Sequence, residues 1–505
     1  MTETEFPDTA HQEQLLMLVI GQGGTGKSVL IEAISETFAF HQKSVMLAKT
    51  ATSGVASSHI GGCTIHSWAG LGVQRLKTLL GSKAVTARRK RNILQKKCLI
   101  IDEMSMLYDT LLTDIAKVVA HTKKTAIEGN EHLPFAGMNV VLMGDFHQFP
   151  PVGKPYSALY SRHHTNDVDA LQGRALYRQF QTVICLDEQI RVKDEGWIAI
   201  LDRVRVGQCT DDDIRIIRTL ILGSPDCPKT DFTCPPWSEA VLVTTRHAVR
   251  EAWNAARLKQ HCRNTGNRRY IVPSEDTVYS TGASLPNDMR LCVARMNEKK
   301  TKKLADRIEI AIGMKAMILF NLSTEADIAN GTRGRITDIV LDPREKLLEA
   351  NEDGSVSLQF PPALIMFEPE HGADISSAFT DKRAIHAIKV QKGQIPLTPS
   401  TVNFTLNMPD GTKVSITRRQ YALTGGYAFT DFKSQGQTIE NLIADLRDMP
   451  TGKISSFGVY VTLSRSRGRD TIRLLSDFDA SVFKCHPSAD LEAEMQRLNL
   501  LAATS

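Results

Sequence analysis

Gly21-Gln22-Gly23-Gly24-Thr25-Gly26-Lys27-Ser28 sets four glycines ahead of a lysine and a hydroxyl. Glycines at this spacing let backbone N–H groups turn inward around phosphate oxygens, and a following helix N-terminus adds positive partial charge. Lys27 would reach the β- and γ-phosphates, while Ser28 would ligate Mg2+. The apolar run before it, Leu15–Ile20, reads as a buried strand, and Val29–Ile34 reads as a helix. Gly21, Gly23, Gly24, Thr25, Gly26, Lys27 and Ser28 are therefore expected to cradle a nucleoside triphosphate.

Two further strands end in chemistry. Cys98-Leu99-Ile100-Ile101 runs into Asp102-Glu103. Carboxylates at the carboxyl edge of a parallel sheet sit where such sheets bind ligands. Asp102 suits magnesium, and Glu103 suits general-base activation of water. Val141-Leu142-Met143 runs into Gly144-Asp145-Phe146-His147-Gln148-Phe149-Pro150-Pro151. Gln148 carries one donor group and one acceptor, which fits sensing of a γ-phosphate or its water. Arg191 and Arg465 offer guanidinium groups of the kind that stabilise charge in phosphoryl transfer.

These residues need a parallel sheet to hold them. Through about residue 180, strands over Leu15–Ile20, Ser44–Leu47, Cys98–Ile101, Val140–Met143 and Thr182–Leu186 alternate with helical stretches. Alternation of this kind predicts a parallel sheet covered by helices. A second series opens at Val241–Thr245, resumes near Tyr427 and closes with a strand over Gly458–Leu463. Between them, Lys315–Phe320, Gly334–Leu341, Ser355–Phe360, Ala363–Phe367 and Lys413–Ile416 read as a small inserted β-barrel. The proline-rich stretch Pro225–Trp237 reads as a surface loop.

The 505 residues exceed one hydrophobic core and imply about three or four domains. The chain has no apolar run approaching the roughly 18–20 residues of a membrane span. Its acidic first 14 residues resemble neither a signal nor a transit peptide. Nine cysteines without metal spacing read as reduced, mostly buried thiols of an intracellular protein. A net charge of +5 is too mild to prove a polyanion partner. The clusters Arg88–Arg91 and Lys299–Lys303 read as solvated faces.

Taken in order, the segments resemble the PIF-one family of superfamily-one DNA helicases nearly end to end. The likeness rests on Ile60–Gly70, Ile101–Leu107, the stretch from Leu107 to Gly137 and Gly144–Val152. It continues with Asn330–Gly334, Thr430–Thr438 and Tyr460–Arg465. The runs Gly-Asp-Phe-His-Gln-Phe-Pro-Pro and Lys-Ser-Gln-Gly-Gln-Thr are the most specific. The resemblance implies an α/β protein of two RecA-like P-loop domains with a small wedge insertion and a small β-barrel insertion. The expected boundaries are 1–180 for the first domain, with the wedge at about 64–96. The second domain spans 181–307 and 419–505, interrupted by the barrel at 308–418.

By the same resemblance, Gly26, Lys27, Ser28, Asp102, Glu103, Gln148, Arg191 and Arg465 handle ATP with Mg2+. Gly436 and Gln437 lie in a motif that links nucleotide to DNA. Thr64, His66, Arg246, Lys433, Ser434 and Thr438 match segments laid along the single strand. A helix cap is the alternative for Thr64 and Thr438, and ordinary packing for His66. The implied activity is 5′-to-3′ translocation on single-stranded DNA with unwinding at duplex junctions, by a monomer, in the nucleus or mitochondrion. Repair, recombination and telomere maintenance are the implied settings. A translocase that does not unwind, or an inactive DNA-binding remnant, shares the same motifs. The chain departs from the family in two places. The helix carrying an adenine-reading glutamine is not matched, since Gln12 and Gln14 lie too close to the loop, so weak base selectivity is expected. Ala136 stands where glycine is commoner.

Overall fold

The computed structural model describes residues 14–71, 83–124, 133–296, 300–320, 330–345, 349–370, 391, 393–450 and 452–504. They group into two compact units, Met1–Asp231 with Ser434–Ser505, and Phe232–Lys433.

The first unit is built on β1 (Leu16–Gly21), α1 (Lys27–Phe40), β2 (Leu47–Ala51), α2 (Gly54–His59), β3 (Cys63–Thr64), α3 (Ile65–Ala69) and α4 (Lys83–Ile93). It continues through β4 (Cys98–Asp102), α5 (Asp109–Lys123), β5 (Asn139–Gly144), α6 (Val168–Tyr177), β6 (Thr182–Leu186), α7 (Glu195–Arg205) and α8 (Asp211–Arg218). The strands form one parallel sheet in the order β3-β2-β4-β5-β1-β6. Successive side chains of a strand point to opposite faces, and the two cores follow that alternation. Leu18, Leu99, Ile101, Val140 and Leu142 join Leu111, Leu112 and Ile115 of α5 on one face. Val19, Ile100, Val141 and Met143 join Ile31 of α1 on the other.

Register places the strand ends together. Ile20 pairs with Gly144, Gly21 with Leu186, and Ala51 with Asp102. The segments that leave those ends thus emerge along one edge. The expected strand at Ser44–Leu47 is displaced. Residues Ser44–Met46 form a 3-10 turn with Val45 exposed, and pairing starts at Leu47. The chain needs that turn to come off α1 before it can enter the sheet.

In the second unit, β7 (Val241–Thr244), α9 (His247–Thr265), β8 (Arg269–Pro273), β9 (Glu275–Val278) and α10 (Asn287–Ala294) come first. Next are β10 (Arg307–Ile310), β11 (Lys315–Ile318), β12 (Arg333–Val340), β13 (Ser355–Ser357), β14 (Leu364–Pro369) and β15 (Ile395–Leu397). Last are β16 (Ser400–Asn407), β17 (Lys413–Gln420), β18 (Leu423–Gly425) and β19 (Ala428–Phe429). An antiparallel sheet runs β15-β14-β12-β11-β18, and smaller sheets run β10-β8-β13 and β16-β17-β9. The β-rich stretch therefore recruits β8, β9 and β18 from outside residues 308–418. Its core includes Val272, Ile310, Ile336, Phe367, Tyr421 and Leu423. The buried Arg418 is paired in bidentate fashion with Asp276, at 2.8 and 2.7 Å.

The chain returns to the first unit through β20 (Leu442–Asp445), α11 (Ser456–Leu463), β21 (Ile472–Leu474) and α12 (Ala489–Ala502). The strand expected at Gly458–Leu463 is a helix. Ser455 caps it, accepting from the Gly458 N–H at 3.1 Å, and every residue from Gly458 to Leu463 is buried. A short run buried on all sides has no periodicity to separate helix from strand. Helix α12 completes the first unit's core: Leu491 and Leu498 lie in the cluster with Leu18 and Leu99. The Tyr177 hydroxyl donates to Glu494 Oε1 at 2.6 Å, and Arg178 and Arg497 also hold that carboxylate.

Three surface expectations need correction or limits. All nine cysteines are free thiols, but only Cys209 is fully buried. Arg89, expected on a solvated face, is 4% exposed and donates to the Ala69 and Gly70 carbonyls. Helix α4 therefore uses its basic run partly as internal scaffolding. Lys299, Gln12 and parts of the wedge (72–82) and of the Leu107–Gly137 stretch (125–132) lie outside the described residues. Ala136 has φ 51°, which is the left-handed region where glycine is unstrained and alanine is not.

Candidate active site

The site grows from the carboxyl edge of the β1–β6 sheet. After Gly21 the loop turns through Gly24 (φ 99°) and Gly26 (φ 89°), and α1 begins at Lys27 without a side-chain cap. Its first amides remain available to an anion. Lys27 Nζ donates to the Gly21 and Gln22 carbonyls at 2.6 and 2.8 Å. Burial lowers its pKa, while Asp145, Glu103 and Asp102 favour its charged form.

Strand β4 delivers Asp102 and Glu103, both buried. Burial raises the Asp102 pKa, and the neighbouring Glu103 adds to that rise. The Glu103 N–H donates to Asp102 Oδ1 at 2.8 Å. Glu103 itself has φ 55° and ψ 49°. A glutamate held in this sparsely populated region is strained, and such strain concentrates at functional sites. Its carbonyl accepts from Thr52 Oγ1 at 3.0 Å, and its carboxylate Oε2 accepts from Gln435 Nε2 at 2.8 Å.

Arg191 and Arg465 converge on the phosphate loop. A Cβ at Gly23 would lie 2.7 Å from Arg465 Nη2 and 3.3 Å from Arg191 Nη1, so glycine is what lets the guanidinium groups approach. Arg191 donates to the Ser464 carbonyl at 2.9 Å and to Thr438 Oγ1 at 3.0 Å. Its N–H groups and those of Gln189 also tie the following loop to Gly23 and Gly24. Arg465, 1% exposed, donates to the Val461 and Gln437 carbonyls and to Ser464 Oγ. Among the described residues neither arginine makes an ion pair. Burial, and then Arg465, push Arg191 down to about 9, and burial lowers Arg465. Two desolvated guanidinium groups bonded to neutral oxygens make a site that favours an anion.

Asp145 follows β5 and is buried among partners. Burial alone would raise its pKa, but Arg205 and His147 outweigh that and hold it well below the usual carboxylate range. Arg205 Nη2 donates to Oδ1 at 2.8 Å and the Tyr460 hydroxyl to Oδ2 at 3.1 Å. Gln148 is 2% exposed; its N–H donates to the Asp145 carbonyl, and its Oε1 has no hydrogen-bond partner among the described residues.

The expected nucleotide-handling residues Lys27, Glu103, Arg191, Arg465, Gly436 and Gln437 are thus brought together in one unit. The expected DNA-facing residues are divided. Thr64, His66, Ser434 and Thr438 belong to the first unit, Arg246 and Lys433 to the second. Thr64 caps α3 by accepting from the Ser67 N–H at 3.3 Å. His66 lines a cavity of about 460 Å³ with Tyr108, Asp114, Lys154, His163 and Arg174. Ser434 is 0% exposed, whereas Thr438 is exposed and accepts from Arg191. Lys433 Nζ lies 3.2 Å from Met317 Sδ, and burial, followed by Arg250 and Lys303, pushes its pKa down to about 8. Sequence reasoning assigned no role to Gln435, Asp145, Tyr460 or Gln189. Gln435 and Asp145 lie inside the two most specific runs, which is the signal that marks them.

Residues 6–213 match the family model described as PIF1-like helicase. The ATP-dependent DNA helicase RRM3 of Saccharomyces cerevisiae is 26% identical over 93% of this chain and 65% of its own length. The ATP-dependent DNA helicase PIF1 of Xenopus laevis is 26% identical over 96% of this chain and 62% of its own. The chain thus spans less than two-thirds of these curated relatives. The crystal structure of Pif1 helicase from Candida albicans superposes with a TM-score of 0.64 at 22% identity, covering 96% of this chain and 95% of that one. Bacteroides Pif1 bound to single-stranded DNA gives 0.60 at 20% identity, covering 95% and 92%. The fold is therefore that of the Pif1 helicases, α/β with two RecA-like domains. The chain thus carries a match to the PIF1-like helicase model over residues 6–213, and it is similar to RRM3 and PIF1 over more than nine-tenths of its length.

Proposed function

We propose that the protein is an ATP-dependent DNA helicase that translocates 5′ to 3′ on single-stranded DNA and couples ATP hydrolysis to duplex unwinding. The observation that carries this reading is the convergence of Lys27, Arg191 and Arg465 on one glycine loop, with Glu103 among the charges they feel. Backbone N–H groups of Gly21–Ser28 and Lys27 bind the triphosphate. Glu103 takes a proton from the attacking water. Arg191 and Arg465 meet the charge that grows on the γ-phosphoryl oxygens, and Gln148 senses that group. The Ser28 hydroxyl and the buried Asp102 carboxylate form a hard oxygen donor set suited to Mg2+. Together they would hold the ion, which neutralises phosphate charge when bound.

Thr64, His66, Arg246, Lys433, Ser434 and Thr438 supply the DNA path in this reading, with phosphate contacts dominating and little sequence preference. Gly436 and Gln437 connect that path to the nucleotide. A wedge within about 64–96 and a β-barrel over about 308–418 serve as insertions beside two motor domains, 1–180 and 181–307 with 419–505. No helix among the described residues is long and apolar enough to cross a membrane. A monomer acting on duplex junctions in the nucleus or mitochondrion, in repair, recombination or telomere maintenance, completes the proposal. The deciding experiment measures ATP turnover with and without single-stranded DNA, together with strand separation on a 5′-tailed duplex. Stimulated turnover without separation identifies a translocase, and binding without turnover identifies an inactive remnant.

A further inference from the structure

Gln435 stands at the point where the Lys433–Thr438 run meets the hydrolytic carboxylate. Its Nε2 donates to Glu103 Oε2 at 2.8 Å. An ionised carboxylate only accepts, so this partner fixes which way the amide points. The amide's other end, Oε1, is buried and has no hydrogen-bond partner among the described residues. Gly436 follows at φ 77°, and a Cβ there would lie 3.1 Å from Glu103 Oε1. One carboxylate oxygen is therefore held by the Gln435 amide, and the other lies against the Gly436 backbone. Buried polar atoms are normally satisfied at both ends. The unpartnered Oε1 leaves the Gln435 amide with an acceptor beside the Glu103 carboxylate, available to a water O–H.

We propose that Gln435 is a positioning residue for hydrolysis, aiming the Glu103 carboxylate at the attacking water. This rests on the reading of Glu103 as general base. In the step, the water oxygen bonds to the γ-phosphorus and the water proton passes to the Glu103 carboxylate. The bond from the γ-phosphorus to the bridging oxygen breaks, and the diphosphate leaves with the electron pair. Gln435 exchanges no proton; it fixes direction, and misdirection of a catalytic group by about 1 Å can cost about 100-fold.

The test uses the full chain as wild type, Gln435→Leu, Gln435→Asn, Glu103→Gln and the Glu103→Gln/Gln435→Leu double variant. Turnover is measured with Mg2+, ATP and single-stranded DNA, alongside the Kd for a fluorescent ATP analogue and the melting temperature. Gln435→Leu should lower kcat about 10–100-fold with nucleotide Kd and melting temperature unchanged. Gln435→Asn, whose amide is one methylene short, should fall between, and it carries the test if the leucine variant fails to fold. On the Glu103→Gln background, Gln435→Leu should cost less than about twofold, since residues acting through one group are non-additive. Equal losses in both backgrounds, an unchanged kcat, or a loss matched by weaker nucleotide binding overturns the role. A wild type that binds nucleotide without hydrolysing it overturns the general-base reading as well, and is recognised by its silence before any variant is compared.

Discussion

The Tyr460 hydroxyl donates a hydrogen bond to Asp145 Oδ2 at 3.1 Å, joining two residues 315 positions apart. Asp145 stands at the end of β5, three residues before Gln148. Tyr460 lies on α11, and its carbonyl accepts from the Ser464 N–H at 2.9 Å, one residue short of Arg465. The carboxylate that also holds Arg205 thus fastens the helix that leads into Arg465 to the sheet edge.

Tyr460→Phe removes one charge-assisted hydrogen bond while keeping the ring. Stability should fall by about 1.5–3 kcal/mol, read from denaturant unfolding of the two proteins. Asp145→Asn should cost more, because it strips the half-buried Arg205 of its carboxylate partner. Asp145 is held below its unfolded pKa of about 3.9. Its contribution is therefore full above that pH and is lost as pH falls towards the folded value. The gap between wild type and Asp145→Asn should narrow below about pH 4.

Lys27→Ala should abolish ATP turnover. Among the described residues, no other side-chain ammonium donates to the Gly21 and Gln22 carbonyls. Equal turnover in both proteins at saturating DNA and Mg2+ contradicts the assignment.

Glu103→Gln should keep nucleotide binding and slow hydrolysis at least about 100-fold, the low end of a general-base contribution. Retained rate with collapsed affinity would mean that the roles of Asp102 and Glu103 are exchanged.

Arg465→Ala should reduce kcat by about 10³–10⁵, the range for an arginine that stabilises phosphoryl transfer, with little change in DNA affinity. Weakened DNA binding at an unchanged rate would move Arg465 to the nucleic-acid path.

If Lys433, whose pKa is pushed down to about 8, lies on the proposed DNA path, DNA binding should be pH-sensitive. Its charge is present below that pH and lost above it, so affinity should weaken between pH 7 and 9. Lys433→Gln should flatten that change and lower the salt slope by about 0.7. An identical pH profile and slope in both proteins excludes a phosphate contact.

The parts of the site readable from sequence are those encoded by neighbours. A glycine loop ahead of Lys27, or acids closing the Leu99–Ile101 strand, announce their chemistry within a few residues. What escaped needed distance. Gln435 meets Glu103 across 332 positions, and nothing near Gln435 in the chain says so. The carrier of Arg465 was misread for a different reason: a segment buried on every side has no polar face to report its period. The strain at Ala136 was visible only as an unusual residue type until its backbone angle was known.

Helix α12 has a consequence for how the protein is made. Leu18 and Leu498 occupy the same buried cluster, so the core under the phosphate loop needs residues far apart in the chain. The loop leaves the ribosome well before the helix that seals its support, which emerges after every strand of that sheet. Until then, the apolar surface that Leu491 and Leu498 will cover stays open to water, to chaperones and to proteases. The first unit's core cannot close until α12 has been translated.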